Sequence, residues 1–307
     1  MNILIPLEIT AAMVQPGTSI ASPDPAMGEV AWAASAAYVV GDERVSALAI
    51  YACHREHTGR VKPPEDDAEY WKRKAPSNLF APFDYYTSTQ AKATGSLTLV
   101  LRPGFFADVQ LYGLVGDSVH IAVHDGPGGP LLKQMQEDLW EQALGLWELL
   151  FQPLGKRDKA QLSGIPISPN AQLTVTVTSV PSAPVALGTL NIGEWRRLIG
   201  TSKLGGTEYG AEVEPRSYSY IKTYDDGTYE FKRRHSATDV RMSVFLDANQ
   251  AEFATATLQQ VLDLPVAVQA CDAPGYGYLN TMGLVTGTVR AEGFGHARAN
   301  INVKGMI

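Results

Sequence analysis

The side chains best suited to chemistry lie in Cys53-His54-x-x-His57, where a thiol and two imidazoles within five positions could begin a zinc site. Zinc needs three or four ligands in a tetrahedron, and no fourth donor is clustered with these three. On a strand, the adjacent Cys53 and His54 would also point to opposite faces. The expected arrangement is Cys53 packed inward, with His54 and His57 on a solvated turn and no metal. His120 and His124 share a strand face by parity, with Asp125 beside the second, a pairing that could orient a general base. A base needs a nucleophile within reach, and no GxSxG elbow accompanies it. If the chain were a hydrolase, Asp117, Asp125, His120 and His124 would be its candidates. Gly126-Pro127-Gly128-Gly129 and the glycines from Gly193 to Gly210 lack both the Lys-Ser/Thr of a phosphate loop and dinucleotide-binding spacing. Glu65-Asp66-Asp67 follows Pro63-Pro64 in a loop, where nothing raises a carboxyl pKa. No catalytic residue, cofactor or metal is expected, and the chain reads as a non-enzyme.

One further chemistry is available to the aromatics. Tyr38, Tyr51, Tyr70 and Trp71 could stack on sugar rings if their faces reached solvent, although the same residues would serve as the core of a small module.

The bulk properties narrow the partners. Acids outnumber bases, giving a net charge of −7, whereas a duplex-binding protein needs a basic stripe to neutralise phosphates. Lys72-Arg73-Lys74 and Lys232-Arg233-Arg234 are short enough to be solvated edges, so nucleic acid is not an expected partner. No run of about 18 apolar residues exists, and no membrane span is expected. The opening Met1 to Leu7 lacks a basic region and is interrupted by Pro6, unlike a secretory signal. Cys53 and Cys271 belong to no CxxC pair and are expected as free thiols in a reducing cytoplasm.

The elements that must position these residues are mostly strands. Residues 1–27 are apolar and then rich in Pro, Ser and Gly, too little for a core; they read either as an extended arm packed on a neighbouring subunit or as an edge strand of their own domain. Residues 28–86 form a small β-module whose tryptophans and tyrosines carry the core, with Gly41-Asp42 as a hairpin turn. Residues 95–190 alternate cleanly, as in Gln172 to Thr178, where Leu and Val face one way and Thr the other; this predicts a β-sandwich. Asp138 to Phe151 is apolar without a decisive period, so a short helix and a strand pair both fit. A Gly-rich linking region spans 191–216. The last unit, 217–307, is α+β, with a hairpin around Tyr224-Asp225-Asp226-Gly227, one helix over Asn249 to Leu262, and a regular strand near the end.

Two resemblances follow from these segments. The run Trp32, Tyr38, Gly41-Asp42, Val45, Tyr51, Cys53, His57-Thr58-Gly59, Pro63-Pro64 and Trp71 resembles the small chitin-binding-type β-modules of chitinases and phage tail proteins. The whole chain is similar to tailed-phage structural proteins. This second likeness runs from Asn2-Ile3-Leu4-Ile5-Pro6-Leu7 through the small module and Trp147-Glu148-Leu149-Leu150-Phe151. It continues through Gly200 to Gly210 and Arg216-Ser217-Tyr218-Ser219, and closes on Ile301-Asn302-Val303-Lys304-Gly305. It implies a mainly β protein with an N-terminal arm, the small module, a jelly-roll-like sandwich of galactose-binding type and a C-terminal α+β assembly domain with one helix. The implied role is a tail-tip or baseplate scaffold in the virion, assembled in the bacterial host cytoplasm. Its partners would be further copies, as a trimer or hexamer, and other tail proteins. A glycan-binding role at the host surface through Tyr38, Tyr51, Tyr70 or Trp71 is the second reading, and a depolymerase the third.

Overall fold

The computed structural model describes residues 1–84, 89–141, 143, 145–198, 206–271, 273 and 275–306. Strand β1 (Asn2–Pro6) leads through irregular chain into five short strands: β2 (Ala37–Tyr38), β3 (Glu43–Ser46), β4 (Ala49–Cys53), β5 (His57–Thr58) and β6 (Trp71–Pro76). Next come β7 (Ala91–Thr94), β8 (Ser96–Leu101), β9 (Asp108–Tyr112), β10 (Ser118–Asp125) and β11 (Leu131–Asp138), then the short helix α1 (Leu146–Phe151). Beyond it lie β12 (Lys159–Leu162), β13 (Ala171–Thr178), β14 (Pro184–Leu187) and β15 (Thr189–Arg197). The remainder holds β16 (Gly206–Thr207), β17 (Glu212–Ser217), β18 (Tyr220–Thr223), β19 (Tyr229–Lys232), β20 (Ser236–Asp247), helix α2 (Ala251–Gln260), β21 (Pro265–Gln269), β22 (Asn280–Ala291) and β23 (His296–Gly305). The protein is mainly β, as the alternating segments predict. Two compact units result: Leu7–Ile192, and Met1–Pro6 together with Gly193–Ile307.

In the unit Leu7–Ile192, four antiparallel pairs are nested: β10 with β11, β9 with β12, β8 with β13, and β7 with β14. The order β11-β10-β13-β8 makes one sheet. Its inward residues are the alternate apolar ones of the sequence: Val119, Ile121 and Val123 on β10, Leu173, Val175 and Val177 on β13, and Leu97, Leu99 and Leu101 on β8, all fully buried. Val109 and Leu111 of β9, Leu162 of β12 and Leu187 of β14 close the same core from the other side. Period-two alternation thus becomes a two-layer packing.

The small module has its own core of Tyr38, Ala49, Tyr51, Cys53 and Trp71, beneath the three-stranded sheet β3-β4-β6 and the pair β2-β5. Gly41-Asp42 makes a turn, with Asp42 N donating to Val39 O at 3.1 Å, but β2 and β3 do not pair across it. The hairpin is β3-β4, closed by Ala47 and Leu48, both at positive φ (43° and 66°).

In the other unit the sheet runs β15 (from Gly193), β1, β21, β22, β23, β20, with β16 and β17 both on β20. Helix α2 buries Ala254 and Leu258 against the core that holds Val244, Leu246, Val285, Ala299 and Ile301, which accounts for the apolar spacing of 249–262.

The N-terminal segment differs from the expected arm on a neighbouring subunit, and only residues 13–19 lie on a sheet edge of their own unit, as the other expectation has it. Strand β1 is an interior strand: Asn2 to Pro6 pair with Arg197 to Gly193 on one side, and Asn2 and Ile3 with Gln269 and Val268 on the other. Residues 13–19 cover the outer edge of β8 instead of a neighbour. Gln15 N donates to Val100 O (2.9 Å), Arg102 N to Met13 O (2.8 Å) and Ser19 N to Thr98 O (2.8 Å), while the hydroxyls of Ser19 and Thr18 accept from Thr98 N and Val100 N. Edge-strand groups need partners, and the chain supplies them itself. The expected linking region 191–216 begins as regular strand through Arg197; its residues 199–205 lie outside the described residues.

Candidate functional site

Building outward from the aromatic module, the antiparallel register places Tyr38 opposite His57 and Cys53 opposite Trp71. These two pairings turn the ring of His57 inward. Its centroid lies 5.3 Å from Tyr38, 5.2 Å from Tyr70 and 5.5 Å from Trp71, and Tyr38 meets Trp71 edge-on at 5.0 Å. Both His57 ring nitrogens are buried without a hydrogen-bond partner. His57 is therefore not on a solvated turn, because the β2-β5 pair carries it into the core.

The four proposed stacking residues fare unequally. Tyr38, Tyr51 and Trp71 are 4%, 9% and 2% exposed and offer no face to a sugar. The Tyr38 hydroxyl is tied to the Ala33 backbone, donating to its carbonyl and accepting from its N–H. Burial, with Glu65 next, pushes the Tyr51 pKa up. Tyr70 is half-buried, but guanidinium groups cover it, Arg60 at 3.8 Å and Arg55 at 5.0 Å from the ring centre. Arg60 in turn donates to both oxygens of the buried Asp67, at 2.7 and 3.1 Å. The aromatics hold the module together, which explains why their spacing looks like that of a binding motif.

The zinc candidates are not brought together. Cys53 is buried, its Sγ donates to Arg55 O at 3.0 Å, and burial pushes its thiol pKa up, away from the thiolate that metal binding needs. His54 is exposed. Among the described residues, no group of three or more His, Cys, Asp or Glu could hold a metal ion.

On the sandwich, His120 and His124 lie half-exposed on the outer face of β10, paired in register with Thr176 and Gln172 of β13. Asp125 accepts from Ser168 Oγ at 2.5 Å at one end of β10. Asp117 precedes the other end, accepting from Lys156 Nζ (2.7 Å) and Ser179 Oγ (2.5 Å). These bonds hold the Asp117 carboxyl below the usual carboxylate range. The four hydrolase candidates thus lie along a whole strand, and the two carboxylates are engaged in bracing loops.

The sequence leaves Asp138 to Phe151 open between a short helix and a strand pair, and the structure shows a helix over Leu146–Phe151. Leu139 and Glu141 run against Arg157 and Gly155, with Arg157 N donating to Leu139 O (2.7 Å) and Glu141 N to Gly155 O (2.9 Å). This short ladder carries α1, whose Leu146, Trp147, Leu149, Leu150 and Phe151 are all exposed. The signal available was the unbroken apolar character of 146–151 around a single Glu. A second apolar surface stands on the hairpin β18-β19, where Ile221 faces Phe231 across the pair. Comparison of the chain with protein-family models, with curated proteins and with solved structures finds no match.

Proposed function

We propose that this protein is a structural component of a bacteriophage tail tip or baseplate, in which copies of the chain join one another and other tail proteins. The observation that carries the reading is the hairpin β18-β19. Its Ile221, Tyr229 and Phe231 are 63%, 72% and 58% exposed on a ribbon that prolongs the β17-β20 ladder, with Tyr218 N donating to His235 O, and two strands alone give these side chains nothing to pack on. Exposed apolar hairpins of this kind are suited to burial between subunits. The nested pairs β7-β14, β8-β13, β9-β12 and β10-β11 are what a long hairpin rolled into two sheets produces, which supports a jelly-roll reading of the sandwich. The unit built from β1, β15–β23 and α2 would then be the α+β assembly domain. Burial of Tyr38, Tyr51 and Trp71 leaves Tyr70 alone of the four stacking candidates partly open to a sugar, which favours the scaffold reading over the glycan-binding one.

The reading is tested by measuring the mass of the purified full-length chain in solution by light scattering and native mass spectrometry. A closed homo-oligomer, a trimer or hexamer, is expected, and Ile221→Asp with Phe231→Asp should reduce it to monomer. A wild-type chain that stays monomeric at ~100 μM would overturn it, since self-association would then be worth less than about 5.5 kcal/mol.

A further inference from the structure

We infer that the groove between helix α2 and the free half of β22 is a strand-addition site, and that its occupant is the β18-β19 hairpin of a second copy. Such a contact rests on the scaffold reading, in which copies of the chain join one another, and supplies its second surface. Strand β21 pairs with β22 only as far as Leu284, whereas β23 pairs with it as far as Ala291. Residues 286–291 therefore have a strand on one side only, an edge of about 20 Å. The alternation of the ladder decides which groups that edge leaves open. Met306 N donates to Met282 O and Glu292 N to His296 O, so the even-numbered residues of β22 turn their backbone groups toward β23. Gly287, Val289 and Ala291 turn their N–H and C=O the other way, where no strand among the described residues meets them. A row of open groups at this spacing is matched by another extended chain.

The groove beside this edge suits side chains that alternate. The odd-numbered residues of β22 face α2: Val285 is buried in the same core as Leu258, and a Cβ at Gly287 would lie 3.1 Å from Leu258 Cδ1. Two hollows follow the edge on that side. One, of about 260 Å³, lies between Leu258 and Leu262 and the strand residues Val285, Gly287 and Val289. The other, of about 540 Å³, lies between Ala251, Thr255 and Ala256 and the strand residues Val289 and Ala291. They share Thr255, Gln259 and Val289 and so form one trough. The small residues along it leave room for larger side chains from an added strand.

The hairpin β18-β19 carries such side chains. Tyr229 and Phe231 stand two residues apart on β19, so their rings leave one face about 7 Å from each other, and both are exposed. Strand β19 pairs with β18 alone, which leaves its other edge for a strand such as β22. Charge selects the same occupant. Residues 247–263, which include α2, contain Asp247, Glu252 and Asp263 and no Lys or Arg. Arg290 and Arg298 face each other in register on the sheet face away from the helix. Residues 216–234 set Arg216, Lys222, Lys232, Arg233 and Arg234 against Asp225, Asp226 and Glu230, with three of the bases directly behind Phe231. A basic ribbon thus meets an acidic helix. Pairing of two β22 edges with each other would instead set one acidic helix beside another. Donor hairpin and acceptor groove are different surfaces of one chain, so the contact is head-to-tail, the kind that generates rings.

The experiment uses the full-length chain, and the mass of the wild type in solution is measured first. Val289→Pro removes an N–H from the open edge without touching a bond to β23, because that ladder uses the even-numbered residues. It should weaken association at least tenfold while its melting midpoint stays close to that of wild type. Thr255→Arg, which fills the trough from an exposed helix position, should do the same and serves if Val289→Pro does not fold. Contact is read by mixing a Thr255→Cys chain with a Tyr229→Cys chain and adding a short bis-maleimide. A covalent dimer of the two is expected, and chains with only Cys53 and Cys271 should give none. An oligomer that persists in both variants, without that cross-link, overturns the inference and leaves the scaffold reading standing. Cross-linking of Thr255→Cys chains to one another also overturns it, since the edge would then belong to a symmetric β22 pairing. A monomeric wild type overturns the scaffold reading and this contact together, and is recognised before any variant is made.

Discussion

The Lys156 ammonium sits 2.7 Å from Asp117 Oδ1 and 4.4 Å from the centre of the Trp140 ring, so one cation joins the start of β10 to the stem of the 139–157 projection. Lys156 Nζ also donates to Gly116 O at 3.1 Å, and Ser179 Oγ donates to the other Asp117 oxygen. First Lys156 and then Ser179 lower the Asp117 pKa. A carboxyl whose folded pKa is depressed stabilises the fold above its unfolded value, about 3.9, and that stabilisation is lost as pH falls through the lower folded value. Asp117→Asn should therefore melt below wild type at pH 7, and the two melting curves should converge as the pH is lowered past the unfolded value and on through the depressed folded one. A difference that stays constant over the whole acid range would show that the hydroxyl contact, and not the charge, sustains the hub.

Gly193 faces a different constraint. It pairs with Pro6 in the β1-β15 ladder, and a Cβ at this position would overlap the carbonyl oxygen of Ile5. Backbone cannot move aside as a flexible side chain can, so Gly193→Ala should cost about 3 kcal/mol by displacing β1. Chemical denaturation would register this as a lower midpoint. An unchanged midpoint would mean that the β1-β15 approach is looser than the register implies.

How much of this could be read from the chain depends on whether a signal is local. Alternation at Gln172 to Thr178 and the helical spacing of 249–262 are local, and both elements form where expected, because burying one face decides the period. Strand β1 was not legible as an interior strand, since its partners Arg197 and Gln269 are about 200 or more residues away and five residues carry no record of them. The aromatic spacing from Trp32 to Trp71 was legible as a module but misleading as a site. Stacking on a sugar and packing in a core ask for the same side chains, and only the β2-β5 register, which turns Tyr38 and His57 inward, separates the two.

The two-residue loop Ala47-Leu48 closes the β3-β4 hairpin with both residues at positive φ. Such a turn prefers Asn and Gly, and an L-residue with a Cβ in this region costs about 1 kcal/mol or more. Ala47 is exposed and packs on little, so Ala47→Gly or Ala47→Asn should stabilise the protein by about 0.5–1 kcal/mol, the reverse of the usual Ala→Gly effect. Calorimetry would decide it, and a destabilising Ala47→Gly would count against the turn geometry.

His57 is surrounded by Tyr38, Tyr70 and Trp71, with both ring nitrogens buried and unpartnered. Buried polar atoms without partners cost about 1–3 kcal/mol. Replacing the imidazole with the apolar ring of His57→Phe should keep the edge-on contacts and stabilise the module by about 1 kcal/mol, provided that the larger ring fits. His57→Leu, which lacks the aromatic edge, serves as the size control. If both variants lose more than about 1 kcal/mol in urea titrations, the imidazole nitrogens must be making bonds that outweigh their burial.

Asn78 does for the irregular N-terminal chain what a strand partner would do for a regular one. Its Nδ2 donates to Asp24 Oδ2 at 2.7 Å and to Lys92 O at 2.9 Å, and its Oδ1 accepts from Lys92 N at 2.8 Å. Its own N–H donates to Glu29 Oε1 at 2.6 Å, and Glu29 also accepts from Asp24 N at 2.8 Å. Asp24 and Asn78 are each 8% exposed, so neither can recover its bonds from water. Asn78→Ala would leave the Asp24 carboxylate short of a donor in a buried site and Lys92 N–H without an acceptor. A loss of about 3 kcal/mol is expected. Because the contact also fastens residues 24–29 to β7, the variant should become sensitive to limited proteolysis within that segment before the sandwich yields. Cleavage that begins in the sandwich strands instead would mean that Asn78 holds the unit as a whole and not this segment alone.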